Sequence, residues 1–258
     1  LLIHIGYPKT ATTTLQQQVF TGLHAAGKIN YLGRLQKGKL SQTQTKSSIN
    51  NVDIVADLRK HLLFNNEFLL DNSRLVENKL NILSDEDLTL HGYFHEARFD
   101  IDVNPLQYPK RLKELLGDGI QVDILVTLRN QADLIFSCFV QKYPFLKFAH
   151  PEITFKSFIR DKPDSFFDLF RFEKVIKRYK DFFDSNVTIA FFEDFINNPK
   201  KFWENLSQTL PENKNQLEAY QGNTHHNKKI KKKNFISSYY NVLSLVGKLI
   251  SPVFGGQK

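Results

Sequence analysis

The chain opens with an apolar run, residues 1–5, followed at once by Gly6, Pro8 and Lys9 and then by Thr10, Thr12, Thr13 and Thr14. A short apolar run bounded by turn residues reads as a buried strand, and the hydroxyl-rich stretch after it reads as the start of a helix. Strand, tight turn and helix N-terminus together have one physical consequence. The first N–H groups of the helix lack partners within it, the helix dipole is positive at that end, and a lysine lies beside both, so the segment is expected to hold an anion. The threonine hydroxyls add donors or cap the helix. His4, inside the strand, is expected to be a satisfied core residue or one that supports the ligand contacts from behind.

The spacing is not that of the nucleoside-triphosphate loop G-x-x-x-x-G-K-[ST], because Lys9 follows Gly6 by only three positions and no glycine stands immediately before the lysine. The order Pro8-Lys9-Thr10-Ala11-Thr12-Thr13 instead resembles the 5′-phosphosulfate loop of the sulfotransferases, whose usual form is Pro-Lys-Ser/Thr-Gly-Thr-Thr. Ala11 stands where glycine is usual, so the turn must either stay right-handed there or carry strain. A second apolar run, residues 122–128, ends at Arg129-Asn130 and leads into a helix-like stretch containing Asp133 and Ser137. This is similar to the 3′-phosphate site of the same family, Arg-Asn-Pro-x-Asp-x-x-x-Ser, with Gln131 in place of the proline. An arginine at a strand end offers a planar fork suited to phosphate. Ser137 follows about two helical turns later with a hydroxyl, and Asp133 is placed to orient Arg129 or cap the helix.

The resemblance implies an α/β fold in a single domain over 1–258, a mostly parallel central sheet flanked by helices with a P-loop NTPase-like sulfotransferase architecture. It implies transfer of a sulfuryl group from 3′-phosphoadenosine 5′-phosphosulfate (PAPS) to an acceptor hydroxyl of a glycan, lipid or small molecule, with the 3′,5′-bisphosphate PAP as product and no metal required. Lys9 then stabilises charge on the leaving 5′-phosphate. Thr12, Thr13 and the loop N–H groups, those of Thr10 and Ala11 among them, hold that phosphate; the hydroxyls of Thr10 and Thr14 either join them or cap the helix. Arg129 and Ser137 hold the 3′-phosphate. Sulfuryl transfer also needs a base near the sulfate. Glu86, in a Ser84-Asp85-Glu86 strand end that resembles the Ser-x-Glu of bacterial members, is the candidate, with His91 and His95 as its alternatives. Phe192-Glu193-Asp194-Phe195 resembles the family's Tyr-Glu-Asp-Leu strand end and is expected to organise loops or form an exposed turn. No Arg-Lys-Gly tripeptide is present for the adenine end, where Lys228 or Lys229 is the substitute.

Composition bounds these readings. The 258 residues, 41% of them hydrophobic, suffice for an α/β domain with a full core. The formal net charge of +8 suits an anionic ligand. The basic segment 225–233 reads as a solvated tail or loose anion patch rather than a specific reader of nucleic acid. The single Cys138 excludes an internal disulfide, which points to a reducing, cytoplasmic setting. No run is long and apolar enough to span a membrane; residues 235–254 are expected to form an amphipathic helix that docks on the core or touches a membrane surface. Residues 33–51 form a long polar loop expected to flank the acceptor site. Helices are expected over 13–26, 54–70 and 166–183, and strands over 29–32, 79–83 and 186–192. Two other classes compete: a P-loop-type kinase or nucleotide phosphotransferase, requiring Mg²⁺, and a non-catalytic polyanion-binding protein using the basic surface.

Overall fold

The computed structural model describes residues 1–33, 58, 61–62, 74–90, 105–162, 164–184 and 187–221. Its centre is one five-stranded sheet in the order β2-β3-β1-β4-β5, formed by β1 (Leu2–His4), β2 (Ile29–Tyr31), β3 (Leu80–Ser84), β4 (Asp123–Leu128) and β5 (Val187–Phe191). Every pairing is parallel. The fold is therefore α/β, with the helical crossovers that parallel strands require. The chain divides into two compact units, residues 1–129 with 175–222, and residues 130–174 with 223–258.

The first unit holds the sheet. A loop joins β1 to α1, a continuous helix made of Thr12–Thr14, a π-helical stretch Leu15–Phe20, and Thr21–Ala25. Leu15, Val19, Phe20 and Leu23 of α1 pack in one buried cluster with Leu2, Tyr31, Ile82, Leu125 and Ala190 from the strands. Period-2 alternation puts Ile3, Leu83, Ile124 and Val126 on the opposite sheet face, and these are buried as well. After β3 comes a short helix, α2 (Asp87–Leu90), and before β4 comes α3 (Tyr108–Leu116) with Pro109 in its first turn.

Helices that the sequence periodicity did not separate complete the core. After β5, α8 (Phe192–Asn197) leads into α9 (Pro199–Ser207) and α10 (Lys214–Gln221). Phe202, Trp203, Leu206 and Leu217 join the α1 cluster. At the start of α9 the Asn198 side chain accepts from the Lys201 N–H and Pro199 follows it, in keeping with N-cap and N1 preferences.

The second unit begins with α4 (Gln131–Ala149), which runs well past the segment expected and carries Pro144 inside it. α5 (Phe155–Arg160) starts at a Thr154 capping box with Ser157. The single helix expected over 166–183 is instead two, α6 (Asp164–Asp168), in this unit, and α7 (Phe172–Phe183), whose residues 175–183 belong to the first. At the break the Asp168 carboxylate pairs with both Arg171 and Lys174 at 2.9 Å. In this unit Phe139 touches Phe155 and Phe158, and Phe158 touches Phe166, which accounts for part of the phenylalanine load. Cys138 is buried, as a packed thiol should be. The Gln131 amide donates to the Phe170 carbonyl at 2.7 Å. Among the described residues no helix is long and apolar enough to cross a membrane.

Of the expected helix 54–70, residues 58, 61 and 62 are described and are helical. The loop 34–51, His91, His95, the basic segment 225–233 and the segment 235–254 lie outside the described residues. Trp203 is fully buried in the cluster that α1 and the strands share, so Trp203→Ala is expected to cost about 3–5 kcal/mol of unfolding free energy, read as a lowered urea midpoint at unchanged slope.

Candidate anion-binding site

The connection from β1 leads to β2 on one side of the sheet, whereas the connection from β3 passes to β4 on the other. β1 and β4 therefore flank the point where strand order reverses, and a crevice opens outside the carboxyl ends of parallel strands at such a point. The loop after β1 and Arg129 after β4 both lie at this edge.

The loop closes on its glycine. A Cβ at Gly6 would collide with Thr12 Cγ2, Thr127 Oγ1 and His4 Nε2, so the requirement at this position is close approach. The chain stays extended beside β4, with the Ile5 N–H donating to the Leu125 carbonyl at 2.9 Å and the Tyr7 N–H to the Thr127 carbonyl at 3.1 Å. It then turns through two left-handed residues, Lys9 (φ 64°) and Ala11 (φ 65°). Of the two possibilities open for Ala11, the turn takes the strained one. Ala11 is also the N-cap of α1, and no side chain caps the helix there. Left-handed and helical residues in succession turn consecutive N–H groups toward one side, which makes an anion-binding concavity.

The threonines divide by direction. Thr10 is fully buried; its hydroxyl donates to the Tyr7 carbonyl and meets the Thr127 hydroxyl at 2.8 Å. Only its backbone remains to face a ligand. Thr12 is buried and its hydroxyl donates to Glu86 Oε2 at 2.9 Å. Thr13 is exposed and Thr14 half-buried. Glu86, half-buried at the start of α2, is thus brought to the loop, while the Thr89 hydroxyl donates to the Glu86 carbonyl at 2.9 Å and fastens that turn.

Arg129 reaches the same loop. Its Nη1 donates to the Lys9 carbonyl at 3.4 Å, its guanidinium lies 4.8 Å from the centre of the Phe192 ring, and its Nε is buried with no hydrogen-bond partner. The Phe192 contact was missed by sequence reasoning. The signal for it was an aromatic residue at the end of the strand next to β4. Asn130 is the N-cap of α4, accepting from the N–H groups of Ala132 and Asp133, so the Asn of the motif shapes the helix start. Ser137 is half-buried on α4 in the second unit. In α8, Asp194 pairs with Lys201 at 3.1 Å and sits with Glu193 in the first turn, where acidic side chains complement the helix dipole.

Beneath the loop lies a buried polar layer. His4 is fully buried, bonded through Nδ1 to Ser84 Oγ at 2.7 Å and through Nε2 to Thr127 Oγ1 at 3.3 Å. Its ring stands edge-on to Phe20, with centroids 5.5 Å apart. Burial pushes its pKa down from 6.5 to about 3, because the imidazolium would have to give up its hydration. The expectation of a satisfied core histidine is met. Among the described residues no group of three or more His, Cys, Asp or Glu side chains is arranged to hold a metal ion.

Two outcomes follow from this geometry. Ala11→Gly relieves a left-handed alanine, a gain of about 1–2 kcal/mol, against about 0.4–1 kcal/mol of extra unfolded-state entropy; the variant should have a melting temperature equal to or above that of the parent. The unfolded chain binds a proton at His4 between pH values of about 6.5 and about 3 that the folded chain refuses. The stability from this group is therefore fully present above the upper value and is lost as pH falls toward the lower, at up to about 1.4 kcal/mol per pH unit. Urea midpoints measured from about pH 7 down to about pH 4 should fall less steeply in His4→Asn than in the parent.

No protein-family model and no curated protein matches this chain. Among solved structures it is similar to a sulfotransferase from Alicyclobacillus acidocaldarius, at 14% identity and a TM-score of 0.39 over 97% of this chain and 95% of that one.

Proposed function

We propose that this protein is a sulfotransferase that takes PAPS as donor and an acceptor hydroxyl as substrate. The observation that carries the reading is the meeting of two candidate anion-binding residues 120 positions apart: Arg129 touches the carbonyl of Lys9 and keeps a buried, unpartnered Nε–H. A buried N–H of a charged group without a partner is costly, and a phosphate oxygen would satisfy it. Lys9 and Arg129, one residue from each motif that resembles the sulfotransferase pattern, thus lie at one edge of the sheet, which supports a ligand with phosphates at both ends of a nucleoside.

The donor supplies the sulfuryl group and a stable phosphate leaving group. The loop N–H groups from Thr10 to Thr13 and the Lys9 ammonium would hold the 5′-phosphate, and Lys9 would balance the charge that collects there as the sulfur–oxygen bond breaks. Arg129, with its fork held by Phe192 and the Lys9 carbonyl, would take the 3′-phosphate, joined by Ser137. Glu86, fixed by Thr12, would accept the proton of the acceptor hydroxyl. His91 and His95 remain its alternatives. The acceptor is a glycan, lipid or small-molecule hydroxyl.

Calorimetric titration with adenosine 3′,5′-bisphosphate, compared with ATP plus Mg²⁺, tests the reading. The bisphosphate should bind without metal and more tightly than ATP. Loss of a charged hydrogen bond to phosphate at Lys9→Ala or Arg129→Ala should weaken it about 10- to 100-fold, equivalent to about 1.5–3 kcal/mol. Glu86→Gln should bind as the parent does and lose sulfuryl transfer. A folded protein that does not bind the bisphosphate sinks the proposal; tight, Mg²⁺-dependent ATP binding would favour a phosphotransferase.

A further inference from the structure

The hydrogen bonds beneath the loop form a chain whose direction is set by its two ends. At one end the Gln16 amide N–H can only donate, and it reaches Ser84 Oγ at 3.0 Å. At the other, the Tyr7 carbonyl can only accept, and it takes the Thr10 hydroxyl. Between them lie Ser84 to His4 Nδ1 at 2.7 Å, His4 Nε2 to Thr127 at 3.3 Å, and Thr127 to Thr10 at 2.8 Å. With Thr10 donating to Tyr7, the Thr127 hydroxyl must donate to Thr10 and so accept from His4. His4 therefore carries its proton on Nε2 and accepts at Nδ1 from Ser84, which accepts from Gln16. Every hydroxyl donates once and accepts once, and the ring must be neutral to pass the sequence on.

The chain crosses the ends of three neighbouring parallel strands, since His4 is in register with Ser84 of β3 and Leu125 of β4, and it finishes inside the loop. Its last two links, Tyr7 and Thr10, bracket Lys9, and Ala11 follows Thr10. The same His4 Nε2 and Thr127 Oγ1 form two of the three walls that exclude a side chain at Gly6. We propose that His4 is the positioning residue of the anion loop: through Thr127 and Thr10 it holds Lys9 and Ala11 in their left-handed conformations and so aims the loop N–H groups. His4 is fully buried and so acts on the loop only through the side chains it bonds. This inference rests on reading the loop as an anion grip and adds a residue to it.

Variants that cut one link at a time test it. His4→Gln keeps a donor where Nε2 stood and loses the acceptor; His4→Asn keeps the acceptor and loses the donor. Thr127→Val removes the hydroxyl at constant shape, and Thr127→Ser restores it. Affinity for adenosine 3′,5′-bisphosphate, measured on folded protein, should fall about 10-fold or more in His4→Asn and Thr127→Val, the effect of orphaning one buried hydrogen-bonding group. It should stay within about 3-fold in His4→Gln and Thr127→Ser, and the double variant His4→Asn with Thr127→Val should be no weaker than the worse single one, because both cut the same chain. Amide hydrogen exchange at residues 6–14 should quicken in the same two variants and in neither of the others. A merely structural role would lower the urea midpoint in all four and leave the affinity of the folded protein and the loop exchange unchanged; that pattern overturns the proposal. If the parent does not bind the bisphosphate yet the exchange pattern holds, the nucleotide reading fails while the positioning role stands. If exchange in all four variants matches the parent, the positioning role fails whatever the parent binds.

Discussion

The parallel pairing of β1 between β3 and β4 is the constraint on which the rest of the site depends. It puts the carboxyl ends of three strands side by side, so that the chain leaves each of them at the same edge. Lys9, Glu86 and Arg129 are far apart in sequence, yet each lies a few residues beyond one of these ends. In an antiparallel arrangement the ends would alternate, and no such gathering would occur. Burial of both faces then fixes register, because a shift of one residue would turn Leu2 and Leu125 out of the cluster they share with α1.

At this edge the sheet changes character. Its middle is apolar, and its last inward-facing layer is Ser84, His4 and Thr127. Polar groups placed so deep are tolerable when each has a partner, and the partners here are one another and the loop. The apolar sheet thus hands over to a polar loop through hydrogen bonds with a defined direction. Above it, Arg129 is gripped on one side by an aromatic face and on another by the Lys9 carbonyl, which leaves few ways for the guanidinium to move.

Much of this was legible in the amino-acid order. The strands at residues 2–4, 80–84, 123–128 and 187–191 stand out as apolar runs bounded by turn residues, and α1 shows its buried stripe at Leu15, Val19 and Leu23. Lys9, Arg129 and Glu86 could be singled out because each combines charge with a strand end. The left-handed turn at Ala11 could not be read, since alanine gives no sign of positive φ and the strain is imposed by the packed loop. The hydrogen-bond chain was equally hidden: Ser84 and Thr127 are visible as polar residues closing apolar runs, but their shared partner depends on register across three strands. The division of residues 166–183 into two helices was likewise hidden, because the amphipathic pattern runs on through the break.

The π-helical stretch Leu15–Phe20 has a consequence for how chains of this kind can differ in length. A π-turn holds one residue more than an α-turn needs. Deleting one residue inside it would return the segment to ordinary winding with the loop and Leu23 still facing their neighbours. A deletion elsewhere in α1 would rotate one end of the helix by about 100° relative to the other and carry Thr12 away from Glu86. Within this helix, then, the one place where the chain can be shortened without turning the loop is the wide turn directly behind it.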